Sequence, residues 1–171
     1  MKKPVPEFSR PFSVAKLPKM GAHEKISAAT TECIALATRM GLAALHELKA
    51  TLLVKSWRGG GIKVSGHFTA DLDQVSVVSL ESFRTVISAD VERYFMPHVS
   101  AADDDSELEI DPIEGGVLDL GEIIAEALVL ELDPYPRKPG ETFSALQEDV
   151  PTPTTRPFAQ LAALPKDGSG K

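Results

Sequence analysis

The chain has 171 residues, 43% hydrophobic and 25% charged, with a net charge of −7; this suits one soluble domain with a real core. The acidic total argues against indiscriminate nucleic-acid binding, and no apolar run approaches the roughly 18 residues of a membrane span. Its single cysteine, Cys33, excludes an intrachain disulfide or a cysteine metal cluster, and the charged N-terminus lacks the apolar stretch of a secretory signal, so a cytoplasmic setting is expected.

Charge is unevenly spread. Residues 1–60 carry ten Lys/Arg against four Asp/Glu, whereas 61–171 carry eight against twenty-one. A local cationic patch therefore belongs to the first third.

Taken in chain order, Phe8 to Leu17 reads as an extended segment that adds a strand. A helix is expected from about Ala22 to Met40, because Ile26, Thr30, Cys33, Ile34, Ala37 and Gly41 recur at helical spacing, and Gly41 is a natural stop. Next, Leu48, Ala50, Leu52 and Val54 alternate with Lys49, Thr51, Leu53 and Lys55. After the glycines, Ile62, Val64, Gly66, Phe68, Ala70 and Leu72 alternate with polar residues in the same way. This is a hairpin of half-buried strands. Placing Arg58 opposite Ile62 leaves the loop Gly59-Gly60-Gly61, where glycine supplies the left-handed conformation. In that register Trp57 faces Lys63, Lys55 faces Ser65, Leu53 faces His67 and Lys49 faces Asp71.

A third strand is expected over Leu72 to Val78, a turn at Ser79–Ser82, and a fourth strand from Phe83 to Tyr94. Residues 97–117 read as loop. A helix then starts at Asp119, a cap that Glu122 can reciprocate. Leu120, Ile123, Ile124, Ala127 and Leu128 fall on one face, and Pro134 and Pro136 forbid continuation. The fold class is α+β: a single domain over 1–140, with a mainly antiparallel sheet of four to five strands packed against two helices. Residues 141–171 are expected to be a mostly flexible tail with a short apolar segment at 158–164.

Catalytic and metal chemistry find little support. Asp103, Asp105, Glu107, Glu109 and Glu114 match a calcium-loop count, but Leu108 stands where the sharp turn needs glycine. His23, His46, His67 and His98 lack partners at ligand spacing. There is no Gly-x-Ser-x-Gly elbow, and the glycine triplet opens a strand, not the helix of a phosphate loop. No cofactor, metal, membrane or small-molecule substrate is expected, and the chain is not expected to be an enzyme.

The remaining candidate is the water-facing side of the hairpin: Lys49, Lys55, Trp57, Arg58, Lys63, Ser65 and His67, with Lys16, Lys19 and Arg39 as possible neighbours. Lysines around an exposed indole can grip phosphate and stack a base. The same residues also suit an ordinary lysine-rich face.

Three segments carry a likeness in the right order: Gln74-Val-Ser-Val-Val-Ser-Leu-Glu-Ser-Phe83, the stretch from Asp111 to Gly140 (in the order D…LDLGEIIAEALVLELDPYPRKPG), and Arg156-Pro-Phe-Ala-Gln-Leu-Ala-Ala-Leu164. Together they resemble the YceD family, the large ribosomal RNA subunit accumulation proteins. The resemblance implies a non-catalytic ribosome biogenesis factor that supports 23S rRNA accumulation and large-subunit assembly. The implied partner is 23S rRNA or its precursor; the acidic half of the chain would also suit a basic large-subunit ribosomal protein. The alternative is a protein-protein interaction adaptor without direct RNA contact. Many members of that family carry cysteines around the third-strand turn and after the last helix. Here those places hold Ser76, Ser79 and the Arg137-Lys138 region, so any thiol or metal role of theirs is lost.

Overall fold

Three long antiparallel strands organise the chain, and alternation of side chains along them decides which face is buried. A computed structural model describes residues 6–97 and 109–142. The chain divides into one compact unit, Met1–Pro139, and a second, Gly140–Lys171; the following concerns the first. The expectations for His98, the aspartates at 103–105, Glu107 and the segment 158–164 lie outside the described residues.

The main sheet has five strands in the order β2 (Ala22–Ser27), β3 (Ala44–Trp57), β4 (Gly61–Val75), β5 (Ser82–Met96) and β6 (Ile110–Pro112). The first four pair antiparallel, and β6 runs parallel to the end of β5. A separate ribbon joins β1 (Pro11–Ser13) to β7 (Val117–Asp119). The two helices are α1 (Thr30–Met40) and α2 (Leu120–Glu131). This is the α+β domain expected.

Several expectations are corrected. Residues 22–27 form a strand, and the helix begins only at Thr30. Here Ala22, Glu24 and Ile26 alternate with His23, Lys25 and Ser27, and pairing with β3 overrides the helical spacing. In consequence Ile34 is 63% exposed, while Leu36 joins Cys33 and Ala37 in the core.

The hairpin register is the second. Trp57 pairs with Gly61 and Ser56 with Ile62, so the loop is Arg58-Gly59-Gly60. Gly59 and Gly60 supply the left-handed backbone, at φ 64° and 75°. Gly61 is a strand residue instead, because a Cβ there would lie 2.6 Å from the Phe95 carbonyl oxygen of β5. The displacement is two residues, so parity is kept and no side chain changes face.

Third, β4 runs unbroken to Val75 and turns at Ser76–Leu80, earlier than expected. The Ser76 hydroxyl accepts the N–H groups of Val78 (3.1 Å) and Ser79 (3.4 Å), which closes the turn. Fourth, the stretch read as loop over 97–117 contains β6 and begins β7, and the extended segment Phe8–Leu17 forms a strand only at Pro11–Ser13 before a 3-10 turn, Val14–Lys16.

Both helices cover one face of the sheet, α1 over β3 and α2 over β5. Leu48, Leu52 and Val54 of β3, Val64, Phe68 and Leu72 of β4, and Val91 and Phe95 of β5 meet Leu36, Ile124 and Leu128 there. Gly41, with φ 67°, ends α1 as expected. Asp119 caps α2 by accepting the N–H groups of Gly121 (3.0 Å) and Glu122 (3.3 Å). Glu122 does not reciprocate; its carboxylate takes Arg39 at 2.8 Å instead. Gly121 has to be glycine, since a Cβ would sit 2.3 Å from the Phe8 carbonyl oxygen.

The segment after α2 returns to the β4–β5 turn. The Val77 N–H donates to the Pro136 carbonyl at 2.9 Å, and Lys138 pairs with Glu81 at 2.9 Å. Two of the motif-bearing stretches therefore touch, and this corner holds Ser76, Ser79 and Arg137-Lys138. Hydroxyl bonds and an ion pair fasten it.

Candidate nucleic-acid interface

Alternation that buries one face of the sheet leaves the other to water. Side chains on that outer face form rows across the strands. Ser27, Lys49, Thr69 and Ser88 make one row; Lys25, Thr51, His67 and Asp90 make the next. Further toward the loop come His23, Leu53, Ser65 and Glu92, then Lys55, Lys63 and Tyr94. Cations therefore gather on β2, β3 and the loop end of β4, and acids line β5. The first two rows border an open groove of about 410 Å³, lined by Lys25, Ser27, Lys49, Thr51, His67 and Thr69.

At the loop end, the rings of Trp57 and Tyr94 lie 4.8 Å apart, tilted by 51°. The Arg58 guanidinium stands 4.4 Å over the indole, and the Lys63 ammonium 5.2 Å from the Tyr94 ring centre. Lys63 also pairs with Glu92 at 2.7 Å, and the Tyr94 hydroxyl donates to the same carboxylate. The bond from Glu92, then that from Tyr94, raises the Lys63 pKa; the bond from Lys63, then that from Tyr94, lowers that of Glu92.

Lys55 faces Lys63 directly. Like charges in opposed positions of a sheet repel, and among the described residues Lys55 has no acidic partner. An anion laid along β3 would relieve that repulsion. The Lys63–Glu92 pair offers little resistance, since solvent screens an exposed ion pair.

The structure thus brings Lys49, Lys55, Trp57, Arg58, Lys63 and His67 onto one face. Lys49 is bonded there to Glu47 at 2.8 Å. Lys19 lies in the turn before β2, where a Cβ at Gly21 would meet the Lys55 side chain at 2.9 Å, so that turn abuts the ribbon. Lys16 closes the 3-10 turn after β1. Arg39 is separated from the rest: it ends α1 on the helical side and is clamped between Glu7 (3.0 Å) and Glu122 (2.8 Å).

Sequence reasoning missed Lys25, because residues 22–27 were read as helix. It also missed Tyr94, Glu92, Asp90 and Ser88, whose alternation along β5 was visible but whose cross-strand partners were not. His67 shows what this omission hid. Its Nδ1 is 2.8 Å from Asp90 and its Nε2 is 2.9 Å from the Ser88 hydroxyl, the order of a nucleophile, base and orienting carboxylate. Acyl-transfer chemistry relies on donors preorganised in a water-excluded site; Asp90 is 91% exposed. The bonds orient the imidazole toward the groove's edge.

No group of His, Cys, Asp and Glu among the described residues could hold a metal ion, and no helix among them is long and apolar enough to cross a membrane. The family model described as "Large ribosomal RNA subunit accumulation protein YceD" matches residues 64–164. No curated protein and no solved structure matches the chain. The matched region takes in most of β4, all of β5, β6, β7 and α2. It begins after Lys63, so the ribbon's lysines and Trp57 precede it.

Proposed function

Because the chain belongs to the YceD family of large ribosomal RNA subunit accumulation proteins, we propose that it is a cytoplasmic, non-catalytic ribosome biogenesis factor. It supports accumulation of 23S rRNA and assembly of the large subunit by binding that RNA or its precursor on the outer face of the sheet. The observation that carries this reading is the opposed pair Lys55 and Lys63 beside Trp57, Arg58 and Tyr94. Cations next to aromatic rings, Lys55 among them with no acidic partner among the described residues, suit an RNA backbone and its bases.

Affinity for large-subunit rRNA fragments should fall steeply with salt, because each neutralised phosphate releases counterions. Charge reversal at Lys55 and Lys63 should weaken it. Salt-insensitive or absent binding would remove the RNA reading.

The acidic balance of residues 61–171 supports a second reading, an adaptor that holds a basic ribosomal protein by charge complementarity and never touches RNA. Pull-downs with and without nuclease separate the two. Partners lost on digestion favour RNA; partners that survive favour the adaptor.

A further inference from the structure

We infer that the outer face takes a single-stranded RNA segment, with unpaired bases on the Trp57–Tyr94 rings and the backbone running along β3 into the groove beside Lys25 and Lys49. This rests on the RNA reading above and narrows it to one ligand class.

Two separate features point the same way. The first is the aromatic pair. Its rings are tilted by 51° with centres 4.8 Å apart, too close to admit a base between them, so a base must lie on an outward ring surface. Arg58 rests over the indole; exposed cation–π contacts are weak, so an incoming base can displace the guanidinium toward its own phosphate. Bases of a duplex are already stacked inside the helix. The deep, narrow major groove of A-form RNA also keeps side chains from their edges, so rings on a sheet engage unpaired nucleotides only.

The second feature is the placement of charge. Lys25 and Lys49 border the groove of about 410 Å³ together with the hydroxyls of Thr51 and Thr69, all donors suited to phosphate oxygens once Lys49 exchanges its exposed contact with Glu47 for the ligand. From Lys49 to Trp57 the strand extends about 26 Å at some 3.3 Å per residue, with Lys55 between them. That length suits several nucleotides, within the roughly 4–16 of comparable single-strand sites. On the far side Asp90 and Glu92 repel phosphate, which confines the backbone to β2 and β3. A flexible single strand can follow this line; a rigid duplex would lie across the acidic margin as well.

Trp57 is the only tryptophan of the chain, so its emission reports on the loop end directly. The test titrates the full-length protein with a short oligoadenylate and with an RNA duplex of matched length, at one salt concentration. The single strand is expected to quench Trp57 saturably and to bind more tightly than the duplex. Tyr94→Ala should lower single-strand affinity by roughly 5- to 150-fold, the range found on removing a stacking ring, and Tyr94→Phe should restore it. Lys25→Glu should weaken binding while leaving the quench at saturation. Thermal melts of each variant verify folding. Equal or tighter duplex binding, or single-strand binding that leaves the indole unquenched, overturns this inference and leaves the RNA reading standing. If neither RNA binds while large-subunit rRNA fragments do, this inference falls alone; if those fragments fail as well, both fall together.

Discussion

Lys55 and Lys63 stand directly opposite each other on the water-facing side of β3 and β4, and Glu92 engages only the second. The fold tolerates a repulsion at this point that a threonine or a glutamate would abolish. Under the RNA reading, a bound phosphate would relieve that repulsion.

Replacing Lys55 by threonine, a good strand residue, should therefore act in opposite directions on stability and binding. Stability should rise by about 0.2–1 kcal/mol, the usual scale of one cross-strand pair. RNA affinity should fall, and the slope of log K against log salt should shrink by about 0.7, one phosphate's share for a single strand. Thermal melts and a salt titration of the same variant check both halves; an unchanged slope would falsify the role given to Lys55.

Glu92 holds Lys63 at 2.7 Å and under the RNA reading would compete with phosphate for it, so Glu92→Gln should strengthen RNA binding and steepen its salt dependence. The ion pair is exposed, so thermal melts should show little cost to stability. Tighter binding from loss of a side chain is not expected of a merely structural residue. Weaker binding by the variant would show that Glu92 helps hold the ligand.

Asp119 accepts the N–H groups of Gly121 and Glu122, and also the Arg10 N–H at 2.7 Å and the Ser9 hydroxyl. It caps α2 and pins the N-terminal segment to it. Asp119→Ala should cost about 1–3 kcal/mol, one cap plus an orphaned N–H, read from the urea midpoint. Asp119→Asn should recover much of that loss. RNA binding by the folded variant should be unchanged, because α2 lies on the opposite face.

Acid should loosen the same region. The Arg10 guanidinium grips Glu32 through two bonds of 2.7 and 2.8 Å, and chiefly for that reason the Glu32 pKa lies below its ordinary 4.5. A depressed carboxyl contributes stability that is complete above the unfolded value and disappears as pH falls through the lower folded one. Melts should therefore weaken below about pH 4.5, by about 1 kcal/mol or less for this partly buried pair. Glu32→Gln should begin lower at neutral pH and converge with the wild type in acid. Parallel curves for the two proteins would assign the acid sensitivity elsewhere.

Legibility varied with how local the deciding interaction was. The hairpin faces, the Gly41 stop and the Asp119 cap were readable because each depends on period-two alternation or on neighbours within a few residues. The segment 22–27 was not: its apolar positions fit a helix, and only the open edge of β3 made it a strand. The hairpin register missed by two residues for a similar reason. Three glycines leave the loop position open, and the choice was made by Phe95, whose carbonyl oxygen approaches Gly61 too closely for any side chain.

By itself, then, the sequence determined the α+β class, the buried and wetted sides of the ribbon, and the kinship with large-subunit RNA accumulation proteins. These follow from side-chain alternation and motif order, which a chain carries before it folds. Tertiary structure alone decided that Lys55 meets Lys63, that Tyr94 joins Trp57, that Lys25 reaches the same face, and that Arg39 does not. Each depends on which distant strand or helix lies alongside, and that is settled by packing across the sheet, where pairs as far apart as Trp57 and Tyr94 become neighbours.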